Sequence, residues 1–207
     1  MRSVVPFAVA VAVALALGAV ALVRPAAAEE GTAQPAAIEA QVRERQLTDA
    51  QTRERKLAAA HAASQVRRIK RYRKQTWAWQ KLMRTPRTPT GNGNLLASDV
   101  VYRQWVLELW RKRALAARRK AHNPPRIRAW TCIQRHEGPW HDPHAPYYGG
   151  LQMDLTFQRL YGPELLQRKG TADNWTPLEQ IWVAERAYRS GRGFYPWPNT
   201  ARACGLI

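Results

Sequence analysis

Two breaks late in the chain, Asn123-Pro124-Pro125 and Gly138-Pro139, confine the residues between them to one short helix. Proline is tolerated in a first helical turn because its missing N–H would be unpaired there, so a helix begins near Pro125. Ile127, Trp130 and Ile133 recur at the spacing of one buried face, and Gly138-Pro139 cannot continue the helix. Glu137 therefore falls in the last turn. The carbonyl end of a helix carries partial negative charge, and burial against Trp140 would add desolvation; both disfavour an ionised carboxylate. A carboxyl that keeps its proton near neutral pH is what a general acid requires. Taken alone, Glu137 reads equally well as an exposed residue at a fraying helix end.

Ten residues on, the chain reads Tyr147-Tyr148-Gly149-Gly150-Leu151-Gln152-Met153-Asp154, a short Gly-rich strand. Asp154 precedes Leu155-Thr-Phe-Gln-Arg-Leu-Tyr161, whose apolar spacing is helical, so an N-cap is its plain structural role. A further helix is expected from Thr176-Pro177, with Trp182, Val183 and Ala187 in the core, and Trp130 and Trp197 as buried anchors. His136, His141, Asp142 and His144 offer four metal donors in nine residues, but Gly138-Pro139 breaks the helix that a His-Glu-x-x-His site needs. Neither a metal nor another cofactor is expected.

Trp130, Glu137, Trp140, Tyr148-Gly149-Gly150-Leu151-Gln152, Glu179-Gln180-Ile181, Val183-Ala184-Glu185, Trp197-Pro198 and Cys204 occur in an order and approximate spacing that resemble the resuscitation-promoting factor and transglycosylase-like family of bacterial cell-wall enzymes. The resemblance covers residues 123–207 and nothing upstream. It implies an α+β, mostly α, lysozyme-like domain with a short β element. It also implies cleavage of the β-1,4 bond between N-acetylmuramic acid and N-acetylglucosamine, with Glu137 as general acid and then base. Trp140, Tyr147 and Tyr148 are the expected sugar platforms, and Gln152, Asp154 and Gln180 the expected polar contacts.

Glycosidases that retain or invert configuration use two carboxyls, and the second would be Asp142 or Asp154. Asp154 fits a cap or sugar contact better than an obligatory nucleophile. With Glu137 alone essential, the outcome is either a 1,6-anhydro product, as in a lytic transglycosylase, or hydrolysis. The family commonly carries Cys immediately before the catalytic Glu, where this chain has His136; Cys132 stands one helical turn earlier, on the same face. An exported chain would let Cys132 pair with Cys204, the other of its two cysteines. Closing a loop of roughly 70 residues should contribute about 4 kcal/mol on the chain-entropy model.

The first 28 residues read as a signal peptide. Arg2 precedes an uncharged Ala/Val/Leu-rich run from Val4 to Val23, and Ala26 and Ala28 fit a small-residue cleavage site. The run spans about 20 residues, so an uncleaved segment would serve as a membrane anchor. The protein is thus expected to be secreted and associated with the cell wall.

Residues 29–83 form a basic helical or disordered arm, residues 84–96 a Pro/Gly linker, and residues 97–122 an amphipathic basic helix. From residue 29 to 121 there are 21 Lys or Arg against 8 Asp or Glu. Gln41–Ala50 and Gln51–Ala60 form an imperfect decapeptide repeat, and Arg67-Arg-Ile-Lys-Arg-Tyr-Arg-Lys74 is followed by Trp77 and Trp79. Basic residues with aromatics suggest a polyanion or membrane surface as partner, beside peptidoglycan itself. Nucleic acid suits the charge, but the export signal argues against it. The plainer reading of the arm is a solvated spacer. Ser98 is the expected cap of the next helix, whose stripe of Tyr102, Trp105, Val106, Leu109 and Trp110 is expected to pack on the C-terminal domain. The reading that competes with the enzyme is a catalytically silent wall-binding protein.

Overall fold

The computed structural model describes residues 35–91, 96 and 99–207. The signal segment with its cleavage site and Ser98 lie outside the described residues. No described helix is long and apolar enough to cross a membrane. The chain divides into two units, residues 1–50 and 51–207.

Helix α1 (Pro35–Met83) begins on a proline and contains neither proline nor glycine from Ala36 to Met83. Its composition favours helix throughout. In the first unit every described side chain, Pro35 to Ala50, is exposed, and that stretch is a solvated charged helix. Burial begins only at Gln65, Ile69, Thr76 and Met83, all in the second unit.

In the second unit the latter half of α1 packs against α2 (Val100–His122), and the contacts set the direction. Gln65 binds Arg103 and Gln104, Trp77 meets Trp110 edge to face, Trp79 meets His122, and Met83 clusters with Ala121. Numbers rise together along both helices, so the two run parallel. The segment after Met83 must therefore return along the pair, about 27 Å for 18 residues of helix. It is held there: Trp77 Nε1 donates to the Thr88 carbonyl, the Gln80 amide bonds both Thr88 N–H and hydroxyl, and the Arg87 guanidinium lies 3.5 Å over Trp77. Leu96 then joins the cluster around Ile69. The expected linker is a strap over at least its first half.

Four expectations for this region are corrected. Asp99, not Ser98, caps α2, accepting from Tyr102 N–H. The buried face is Arg103, Val106, Leu107, Trp110 and Ala114, whereas Trp105 is 58% exposed. That face packs on α1 rather than on the C-terminal domain; only the far end of the pair reaches the domain, where Trp182 Nε1 donates to the Ala121 carbonyl. Trp77 and Trp79, expected to face a partner, pack within the pair.

The C-terminal domain is mostly helical with one two-stranded antiparallel sheet, as expected from the sequence. Its order is α3 (Ile127–Glu137), β1 (Tyr147–Tyr148), β2 (Met153–Asp154), α4 (Leu155–Tyr161), α5 (Pro163–Lys169), α6 (Pro177–Ala187) and α7 (Pro198–Ala203). Trp130, Ile133, Leu151, Trp175, Val183 and Trp197 are fully or almost fully buried at its centre. Ile127, assigned to the same face as Trp130, is instead 37% exposed. Thr176 and Glu179 form a reciprocal capping box at the start of α6, with Pro177 in the first turn.

Candidate functional site

Gly138 terminates α3 at Glu137, with φ 154° and ψ −175°, a conformation that essentially only glycine adopts. Gly138 N–H bonds the Gln134 carbonyl, and the Gln134 side chain bonds the Gly138 carbonyl in return, so the helix end is closed from both directions. Glu137 is half-buried there. Its Oε1 accepts a 2.7 Å hydrogen bond from the Thr200 hydroxyl, on α7. Cys132, one turn back on α3, is disulfide-bonded to Cys204, just beyond α7. The disulfide and the Thr200–Glu137 bond thus tie the same two helices together.

The start of α3 is anchored by a residue named only within the Val-Ala-Glu element. Glu185 on α6 is 0% exposed, and its carboxylate accepts from Trp130 Nε1 at 2.8 Å and from Arg126 Nη1 at 2.7 Å. Arg126 also lies 3.5 Å over the Tyr188 ring. A buried carboxylate is tolerated because its oxygens are satisfied by a cation and an indole N–H.

The β1–β2 turn meets the end of α3. Tyr147 pairs with Asp154 and Tyr148 with Met153, leaving Gly149 to Gln152 as the turn. Gln152 has φ +47°, unusual for a residue with a side chain. Its amide holds it there, donating to Asp142 Oδ2 at 2.9 Å and to the Gly149 carbonyl at 3.0 Å. A Cβ on Gly138 would lie 3.4 Å from that amide nitrogen, so the residue after Glu137 rests against the Gln152–Asp142 pair. Hydrogen bonds from the His144 ring and the Gln152 amide, then from His144 N–H, hold the Asp142 carboxyl below the usual range and favour its ionised form.

The other proposed contacts divide. Tyr147, Gln152 and Asp154 line a groove of about 220 Å³ together with Phe157, Arg192, Pro196 and Trp197. Arg192 was not anticipated, and only its place in the folded turn after α6 brings it there. Asp154 Oδ1 caps α4, accepting from Phe157 N–H at 2.7 Å, which leaves its other oxygen to the groove. Tyr148 is half-buried against the core. Trp140 was expected to bury Glu137; its ring lies against Gly150, and its carbonyl is bound by Gln180. Gln180 is a correction. It is 0% exposed beneath Gly149, its amide spent on the carbonyls of Trp140 and Ala172, so it supports the turn and cannot touch a glycan.

The histidines are engaged separately. His141 bonds the Asp173 carbonyl, and His144 bonds Asp142. His136 lies beside Cys132 and Cys204, whose sulfurs are bonded to each other.

Comparison of the chain with models of known protein families, with curated proteins and with solved structures finds no match.

Proposed function

We propose that the C-terminal domain is a lysozyme-like, peptidoglycan-cleaving unit of a secreted, wall-associated protein, with Glu137 as its acid and base. The observation that carries this reading is the hydroxyl of Thr200 on Glu137 Oε1. With Oε1 occupied by the hydroxyl donor, Oε2 is the oxygen left free to exchange a proton with a bridging glycosidic oxygen. Once the bond is broken, the carboxylate takes a proton either from the sugar's own 6-hydroxyl, giving an anhydro ring, or from water. Asp142, whose ionised form is favoured by hydrogen bonds from His144 and Gln152, stands beside Gly138 and would stabilise positive charge developing at the sugar carbon, while Asp154 caps α4 at the groove. The aromatic and polar wall of Tyr147, Gln152 and Asp154 suits a sugar ring.

Glycan binding without cleavage is favoured by one observation. The groove wall does not include Glu137, which adjoins it through Thr200, three residues after Trp197. Mass spectrometry of digested peptidoglycan separates the outcomes. Anhydro-muropeptides mark a transglycosylase, hydrated reducing ends mark a hydrolase, and intact glycan with retained binding marks the silent reading.

A further inference from the structure

Residues 51–122 carry 19 Lys or Arg against 3 Asp or Glu. Two of those acids are already committed, Asp99 to capping α2 and Glu108 to Arg111. So one-sided a surface repels itself and attracts polyanions. Between α1 and α2 lies a groove of about 490 Å³, whose walls include Tyr72, Gln75 and Trp79 from α1 and Arg111, Arg118 and His122 from α2. No Asp or Glu is among its lining residues. The Arg118 side chain makes no hydrogen bond or ion pair with another described residue. Arg111 and Arg118 stand two helical turns apart, about 10 Å along the axis.

We propose that this groove holds a linear, non-nucleic phosphodiester polymer, of the polyol-phosphate kind, with Arg111 and Arg118 on its phosphates and Gln75 on its hydroxyls. The concave, mixed surface admits a single extended chain, whereas a bilayer presents a flat face and needs an apolar stripe to enter it. Of the exposed apolar residues of α2, Val100, Val101 and Trp105 are at the opposite end from Arg118, and Leu115, which lines the groove, stands alone near it rather than in a stripe. Nucleic acid is disfavoured because base recognition by such grooves uses open aromatic faces. Here Trp79 is packed against His122 with centroids 5.2 Å apart, and Tyr72 is packed into the Ile69 cluster. The groove therefore reads charge and hydroxyls. This inference does not rest on Glu137 or on the activity proposed for the C-terminal domain.

The test uses the oxidised full chain with linear inorganic polyphosphate as probe, beside a single-stranded oligonucleotide and vesicles containing phosphatidylglycerol. The Arg111→Gln, Arg118→Gln double variant is compared with Lys70→Gln, Lys74→Gln, which removes the same charge from the opposite face of α1. The groove variant is expected to bind polyphosphate at least tenfold more weakly, and the control within about twofold of wild type. Each lost phosphate contact should reduce the slope of log affinity against log salt by about 0.7. Equal loss in both variants, at unchanged thermal midpoints, overturns the proposal in favour of diffuse attraction. Tighter binding of the oligonucleotide, or vesicle binding that polyphosphate does not displace, overturns it in favour of nucleic acid or a membrane.

Discussion

The Thr200 hydroxyl donates to Glu137 Oε1 at 2.7 Å, joining α7 to the last residue of α3. If this bond sets which carboxyl oxygen carries the proton, Thr200→Val removes it at nearly constant volume. The expected result is a roughly tenfold slower turnover of peptidoglycan, from a hydrogen bond of about 1.5 kcal/mol to a group that changes charge. Thr200→Ser restores most of it. Equal rates for Thr200→Val and wild type would show that the bond is only structural.

Gly149 has φ +73°, and a Cβ there would sit 2.6 Å from Gln180 Oε1. Gly149→Ala combines a left-handed backbone with a clash against a buried, immobile amide. It is expected to lower stability by about 2–3 kcal/mol, measured as a shift in the urea midpoint. An unchanged midpoint would mean that the turn does not rest on Gln180.

Replacing Glu185 by Ala leaves the buried Trp130 indole N–H unpaired and strips Arg126 of its partner. The expected loss is about 3 kcal/mol, at the lower end for breaking a buried pair because Arg126 is partly exposed. Equilibrium denaturation of the oxidised chain measures it.

The Cys132–Cys204 disulfide closes a separation of 72 residues across α3 and α7. Reduction should lower stability by about 4 kcal/mol on the chain-entropy model. It should also loosen the helix pair that holds Glu137, so a reductant should lower both the thermal midpoint and the activity.

Glu164 shows how pH should act. Burial alone would raise its pKa, but a backbone hydrogen bond, Arg186 and Arg84 outweigh it and hold the carboxyl below its ordinary value. A depressed folded pKa stabilises above the unfolded value, about 4.3, and that contribution is lost as pH falls through the folded value. Arg186 also donates to the Leu82 carbonyl near the end of α1 and to the Tyr161 carbonyl. Acidification below pH about 4 should therefore loosen the helix pair from the C-terminal domain. Hydrogen exchange at residues 79–83, corrected for its intrinsic pH dependence, should rise in step with protonation of Glu164, and Glu164→Gln, which lacks the titrating group, should show no such acid-dependent rise.

What was legible in the sequence was what local chemistry determines. Proline and glycine breaks set the ends of α3, a hydroxyl followed by Pro-Leu-Glu set the start of α6, and Asp154 before an apolar run set the cap of α4. What was not legible depended on the partner across the interface. On α2, adjacent positions differ by about 100° around the axis, so exchanging Tyr102 and Trp105 for Arg103 and Leu107 is about a quarter turn that keeps Val106 and Trp110 buried. Nothing local says that Arg103 will be buried against Gln65 and the Leu96 carbonyl. Gln180 was misread for the same reason, because an amide serves a carbonyl or a sugar equally well until its burial is known. Thr200 carries no motif of its own; the disulfide and the packing of Trp197 on Trp130 bring its helix beside Glu137.

The measurement that bears most directly on the account is peptidoglycan turnover by the full oxidised chain, wild type beside Glu137→Gln, with glycan binding followed in parallel. The account predicts soluble muropeptides from the wild type and at least a hundredfold fewer from Glu137→Gln, the scale of general acid–base catalysis, with glycan binding retained. Equal product from both proteins, or glycan binding without product from a folded wild type, would contradict it.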